Sequence, residues 1–459
     1  MKTFLLLISL MLLLPAHARE AAWPQFQRDA SHQGQSSWGE AIRNPKILWR
    51  TEVGILSYLN NPVIAEGKVF VPSSGPNWSQ ADGPSEKAGP NYRDHYSDGI
   101  YVLDFNTGRP LEFWPTGHNA RSVAYGSGWV VWTNTSGWQE DAGEINGRNL
   151  SSGKSWKYDL GTDFNEPQMH GITLADELVL AGDSRGRLHA LDLNSGQLRW
   201  QQALTGEIRA HPALDGETIY AASTRGEVAA YDQAGKLRWK TMLSHAYPAW
   251  SRRTDRFPVE IYAAPTLVGD LLLIAYARNT TYPHPALLAL DRRTGAEVWR
   301  ASDPKQLLAE HANLRSSPAI YGDLAIVANG IGNAVLGIDW HSGVVKWVSR
   351  VGFEMNVHWP SPAINAGQVL LPRQDGGLYS LNASDGTPGW KLWLGDPGRA
   401  GLVFPDLILP RFTPGYQAGF NPHHPNIGDA IFASPAIGLD GSVLVACNGW
   451  LYRIGESGL

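Results

Sequence analysis

LDLNSGQLRW (191–200), LDRRTGAEVW (290–299) and IDWHSGVVKW (338–347) are near-copies of one pattern. A short apolar run ends in Asp, a Ser/Thr-Gly turn follows, and a Trp comes soon after. Looser copies lie at 103–114, 148–156, 231–239 and 381–390, which makes seven, ending on Trp114, Trp156, Trp200, Trp239, Trp299, Trp347 and Trp390. Asp or Asn caps such a turn through its own side chain, and Gly supplies the positive φ of a hairpin. The Trp offers a large flat surface for packing between neighbouring units.

Two further strand-like runs precede each copy. The first often opens on a small residue or His followed by Pro: HPAL (211–214), APTL (264–267) and SPAI (317–320, 361–364, 434–437). The second alternates apolar residues, as in Leu271–Ala275 and Leu324–Ala328. Four short strands in about 40 to 45 residues is the size of one propeller blade. The C-terminus (434–455) has three strands without a Trp-bearing fourth, and the N-terminus has that fourth strand, KILWRTEVG (46–54). Joined, they complete an eighth blade. The predicted fold is therefore all-β: one eight-bladed propeller over residues 19–459, four antiparallel strands per blade, closed by N- and C-terminal strands that leave no open sheet edge.

Spacing between the Trp residues locates long insertions at 73–98, 244–260 and 395–429. They are rich in aromatics, His and Arg, and are expected to form ordered lids on one face.

Composition narrows the function. Of 459 residues 18% are charged, the net charge is −5, and no long charge run occurs, which excludes a domain-scale nucleic-acid surface. Residues 1–18, MKTFLLLISLMLLLPAHA, read as a secretory signal: Lys2, an apolar run to Leu14, a break at Pro15 and a small-residue cleavage site at Ala18. The run is too short to span a bilayer, and no other segment is apolar enough, so no transmembrane segment is expected. The mature chain is expected in the periplasm or secreted, as a monomer. Cys447 is the only cysteine, so no internal disulfide, haem-attachment motif or vicinal Cys pair can form, and no lipid-attachment Cys lies near the cleavage site.

The repeat, and the opening WPQFQRDASHQGQS (23–36), resemble the exported PQQ-repeat, quinoprotein-type propellers. That resemblance covers about residues 23–455. It implies the propeller fold and two functional classes: dehydrogenases using pyrroloquinoline quinone (PQQ) with calcium, and non-catalytic scaffolds of the outer-membrane assembly type.

In a propeller the innermost strands line the central channel, so residues at their starts ring one mouth. This places Asn60 and Asn61, Arg121, Gln168 and His170, Arg209 and His211, Tyr262, Arg315 and Ser316, His358 and Trp359, and Phe432 at that mouth. The expected ligand-binding set is Arg121, His170, Arg209, His211, Tyr262, Arg315, His358 and Trp359. Three Arg and three His suit an anionic, carboxylated ligand, because guanidinium offers paired fixed donors. No HxH or HExxH spacing points to a metal, and no catalytic residue is assigned. The mouth set lacks a carboxylate, candidate acids being Asp94, Asp98, Glu260, Asp406 and Asp429 in or beside the insertions. The reading is an exported, non-catalytic propeller binding a protein partner or small anionic ligand at this mouth. The alternative is a PQQ- and calcium-dependent dehydrogenase with a reduced site.

Overall fold

A computed structural model describes residues 21–456 except 37, 55, 57–59, 74–98, 117–119, 135–142, 161–168, 247–255, 278–284, 309–313, 330, 356–359, 374, 395–402, 405–430, 432 and 448. Among the described residues there is no helix. The core of the fold is eight four-stranded antiparallel units, each running from an inner to an outer strand. Blade 8 is composite: Ala436–Ile437, Val443–Cys447 and Trp450–Glu456 come from the C-terminus, and Pro45–Glu52 from the N-terminus is its outermost strand. Closure occurs where the joined termini predicted it.

The repeat is a lock between blades. Six of the outer-strand indoles lie over the turn glycine of the next blade, those of Trp49, Trp156, Trp200, Trp239, Trp299 and Trp347. A Cβ on Gly108 would meet Trp49 at 2.5 Å, and one on Gly196 would meet Trp156 at 2.4 Å. In five of these six the indole N–H donates to a carbonyl of the same turn, as from Trp49 to Phe105 at 2.9 Å, Trp200 to Gln233 at 2.8 Å and Trp239 to Arg292 at 2.9 Å. Glycine is thus needed twice, for its positive φ (70° at Gly108, 69° at Gly196) and for the bare surface that seats the ring. Trp347 is buried, whereas Trp200 and Trp299 are only partly buried, because one indole face remains at the rim.

The small-residue-Pro motif forms a second, inner tie. Ser317 Oγ accepts from Ala264 N, Ser361 Oγ from Ser317 N, and Ser434 Oγ from Ser361 N, each at 2.9 Å. Ser434 N donates to Asn60 O at 2.7 Å, and Asn60 Nδ2 to Arg121 O. Blades 5, 6, 7, 8, 1 and 2 are stitched together in turn at the starts of their inner strands. Pro supplies no N–H there, so the preceding residue carries the link.

Of the insertions, 74–98 lies outside the described residues. The second forms a two-stranded hairpin, Ser244–Ala246 with Arg256–Pro258. The third contributes Val403–Phe404, a fifth strand on the outer edge of blade 7.

Candidate functional site at the open channel mouth

The two ends of the channel differ because of residues 21–36. This segment follows the far end of the inner strands and bonds to seven blades in order. Ala21–Trp23 pairs with Val63–Ala65 of blade 1. Pro24 O accepts from Tyr125 N (2.7 Å), Gln25 Oε1 from Leu174 N (2.9 Å), Ala30 O from Leu214 N (2.9 Å) and Ser31 O from Leu267 N (2.9 Å). Gln33 O accepts from Ile320 N and Gly34 O from Ile364 N, both at 2.8 Å. Gln35–Ser36 then pairs in parallel with blade 7. Trp23, Phe26, Gln27 and His32 are all buried in this plug. Gln27, Arg28 and His32 hold positive φ, backbone strain that only dense surrounding contacts sustain.

The quoted opening motif is therefore a stopper. That role escapes a reading by repeats, because the segment belongs to none; its signals were four Gln, a His and a Gly beside Trp23 and Phe26. It also reassigns His211. Rather than facing the open mouth, its buried ring stacks on Phe26 at 4.2 Å between centroids, and Nδ1 donates to Ile172 O at 2.9 Å.

The opposite mouth carries five of the other predicted residues, Arg121, His170, Arg209, Tyr262 and Arg315. Tyr262 of blade 5 lies between two guanidinium groups: Arg209 Cζ is 5.8 Å and Arg315 Cζ 4.6 Å from its ring centroid. Two acids join them. Glu207 Oε2 accepts from Arg209 Nε at 2.5 Å, and Glu260 Oε2 accepts from Tyr262 OH at 3.1 Å and faces Arg315 Nη2 at 3.7 Å. The expectation of an acid-free mouth is corrected here: Glu207 was overlooked because it stands two residues before its Arg partner, outside every insertion. Burial and the neighbouring Glu260 carboxylate push the Tyr262 phenol up.

His170 begins the inner strand of blade 3 (Met169–Ala175) and is 6% exposed. Its Nε2 is buried and has no hydrogen-bond partner among the described residues. Burial first, then the charges of Arg121 and Arg209, hold its imidazole well below the usual range, so it is neutral at pH 7. Arg121 is partly buried and pairs with no carboxylate among the described residues. The structure thus brings Arg121, His170, Arg209, Tyr262 and Arg315 into one arc across blades 2 to 6. His358 and Trp359 lie outside the described residues, as do Gln168 and Phe432.

Polar groups elsewhere are committed to structure. Asp183 binds Arg187 Nε (2.5 Å) and the buried His189 Nε2 (3.0 Å), fixing the turn of blade 3. A groove of about 510 Å³ on the plug side is lined by Asp29, Ser31, Gln33, Asp215 and Arg292, but Arg292 already pairs with Asp215 and Asp270 at 3.5 Å.

A family model described as outer membrane protein assembly factor BamB matches residues 117–278, 184–358 and 225–403, overlapping stretches that together exceed half of the chain. The chain belongs to this PQQ-repeat propeller family. BamB of Yersinia pestis is 23% identical over 297 residues, 62% of this chain and 69% of that protein. The solved structure of BamB from Moraxella catarrhalis superposes with a TM-score of 0.58 at 14% identity, over 90% of this chain and 99% of that one. Quinohemoprotein alcohol dehydrogenase from Comamonas testosteroni gives 0.64 at 12% identity, over 97% and 82%. An assembly factor and a dehydrogenase share the fold, so the family alone does not choose between them.

Donor chemistry does bear on the choice. Calcium prefers several hard oxygen ligands. At the mouth, Glu207 and Glu260 are turned to guanidinium and phenol partners. Among the described residues no three His, Cys, Asp or Glu side chains converge as a metal cage. These residues do not fit a calcium-held quinone.

Proposed function

We propose that the chain is a non-catalytic binding propeller of the cell envelope that receives its partner, a protein or a small anionic molecule, at the open channel mouth. One observation carries this reading. The far mouth is stoppered by the chain's own residues 21–36, whereas the near mouth carries Tyr262 between Arg209 and Arg315, together with Arg121 and a neutral His170 whose Nε2 has no hydrogen-bond partner among the described residues. A rigid ring with a closed floor presents side chains from successive blades at fixed positions, and binding needs no reacting group. The signal-like residues 1–18 and the relatives named as outer membrane protein assembly factors support an envelope location. No helix among the described residues is long and apolar enough to cross a membrane.

The test neutralises the arc in one step, Arg121→Gln, Arg209→Gln and Arg315→Gln together, in the exported protein. Co-purifying proteins and small molecules are quantified against wild type by mass spectrometry. Specific loss of a wild-type partner, with an unchanged melting curve, is the expected result. An unchanged partner set contradicts the reading.

A further inference from the structure

The seam between blades 4 and 5 is joined differently from its neighbours. In blades 6, 7 and 8 a serine hydroxyl at the start of the inner strand accepts from the preceding blade. Blade 5 has Ala264 at that position, which offers blade 4 no hydroxyl. The plug bridges the two blades instead. Ala30 O accepts from Leu214 N of blade 4 and Ser31 O from Leu267 N of blade 5, both at 2.9 Å. His32 then touches both. Its Nε2 lies 2.9 Å from Pro212 O of blade 4, and its own carbonyl accepts from Thr266 Oγ1 of blade 5 at 3.3 Å. Its Nδ1 lies 3.1 Å from Phe26 O within the plug, and the ring is fully buried. A neutral imidazole has one N–H for these two oxygens. An imidazolium would bond both, but as a cation cut off from water with no carboxylate in contact among the described residues. Asp29, the acid of this part of the plug, already accepts from Ser31 N at 3.0 Å. Blade 4 presents the His211 ring edge-on at 5.9 Å, blade 5 the uncharged Thr266, and blade 3 Thr173, which shares Pro212 O. Burial outweighs the second bond, holds the His32 imidazole below its usual range and keeps it neutral at pH 7.

We propose that His32 is an acid-sensitive clasp: the plug holds blades 4 and 5 together while this ring is neutral, and the seam opens as solvent supplies it with a proton. Opening exposes the ring to water, where imidazole titrates near its ordinary value of about 6.5. Above that pH neither state gains a proton, and opening is independent of pH. Below it the open state takes up a proton that the closed state refuses, so opening becomes more favourable as pH falls toward the lower, closed-state value. The backbone is poised for release, because Gln27, Arg28 and His32 give back their positive φ (52°, 76° and 56°) when the plug lifts. The clasp also reaches the strand that serves the near mouth. Phe26 stacks on His211, a Cβ on Gly171 would meet the His211 ring at 2.6 Å, and Arg209 stands two residues before His211. Opening therefore loosens the strand start that carries Arg209. None of this depends on what the near mouth binds.

Amide hydrogen exchange read by mass spectrometry measures the opening. The exported protein is followed from about pH 8 to about pH 5, with rates corrected for intrinsic exchange. Leu214 and Leu267 report the seam, and Val443–Cys447 of blade 8 reports global unfolding. Opening at the seam that is flat above about pH 6.5 and rises up to about tenfold per pH unit below it, beyond any change in blade 8, supports the proposal. His32→Gln should remove the slope. His32→Asn, a residue that tolerates positive φ, gives the same test if the Gln variant does not fold. A flat profile in wild type overturns the proposal even if neither variant folds. So does opening that diminishes on acidification, a rise matched by blade 8, or a slope that survives replacement of His32.

Discussion

The two ends of one channel are built from the same eight inner strands, yet they are finished in opposite ways. At the far end, residues 21–36 supply carbonyl and amide oxygens to inner-strand N–H groups of six blades, and Trp23 and Phe26 are buried. At the near end the backbone is also tied, through Ser317, Ser361, Ser434 and Asn60, and Glu207 and Glu260 pair with Arg209, Tyr262 and Arg315, but two groups are left over. Among the described residues Arg121 has no acidic partner and His170 Nε2 has no hydrogen-bond partner. A ring needs its backbone groups satisfied at both ends. It needs its charged side chains satisfied only where no ligand comes. The contrast separates closure from recognition.

The strongest way to break this contrast is to remove the stopper. Deleting residues 21–36 removes the buried Trp23 and Phe26 and strips acceptors from the inner strands. A loss of more than about 5 kcal/mol in denaturant unfolding, or insoluble protein, is expected, since losing a single buried aromatic side chain costs about 3–5 kcal/mol. A deletion that unfolds like wild type would show the segment to be decoration.

A point change at the same end should cost less. Gly34 has φ 60°, and a Cβ there would lie 1.9 Å from Gln27 Oε1. Gly34→Ala should destabilise by about 1–3 kcal/mol, through strain and displacement of Gln27. Equal melting temperatures would contradict the plug geometry.

On the near side, Asp375 of blade 7 accepts from Tyr379 OH at 2.7 Å, and burial pushes its carboxyl up to about 6 from an ordinary 3.8. Because the folded value is the higher one, Asp375 favours the fold at low pH, and that contribution is lost as pH rises from 3.8 through about 6. Asp375→Asn keeps an acceptor for Tyr379 and removes the titration. The stability of wild type relative to the variant should fall by about 1–2 kcal/mol across that window, the carboxyl being partly screened by water. A pH-independent difference would sink the assignment.

The smallest effect belongs to the arc itself. Arg315→Ala removes a long, partly exposed ion pair to Glu260 and should change stability by less than about 1 kcal/mol. A larger loss would make Arg315 a structural tie, and the near mouth would then resemble the far one.

How far the sequence disclosed these ends follows from periodicity. The Asp-Ser/Thr-Gly-Trp repeat recurs because six of the indoles sit on a glycine of the next blade, so the fold, the blade count and the composite eighth blade were all legible. Arg121, His170, Arg209, Tyr262 and Arg315 were legible as neighbours because each stands at or just before the start of a repeated inner strand. The plug was not: residues 21–36 pass each of seven blades once, and a segment used once leaves no period. Glu207 escaped for a similar reason, since a carboxylate two residues from an Arg reads as an exposed strand connection until the inner strands converge. His211 occupies the expected place in the repeat, but its ring is claimed by Phe26, from a segment some 180 residues away in sequence.

The claim that recognition belongs to one end is tested most directly by photo-crosslinking in the intact cell. Benzoylphenylalanine is placed singly at Arg185 or Arg225, exposed on the near-side turns that flank Glu207 and Arg209, and at Asp29 or Asp270 on the plug side. Defined crosslinked products from positions 185 and 225, absent from 29 and 270, are the predicted result. Crosslinks confined to positions 29 and 270 would place the partner on the stoppered end and contradict the account.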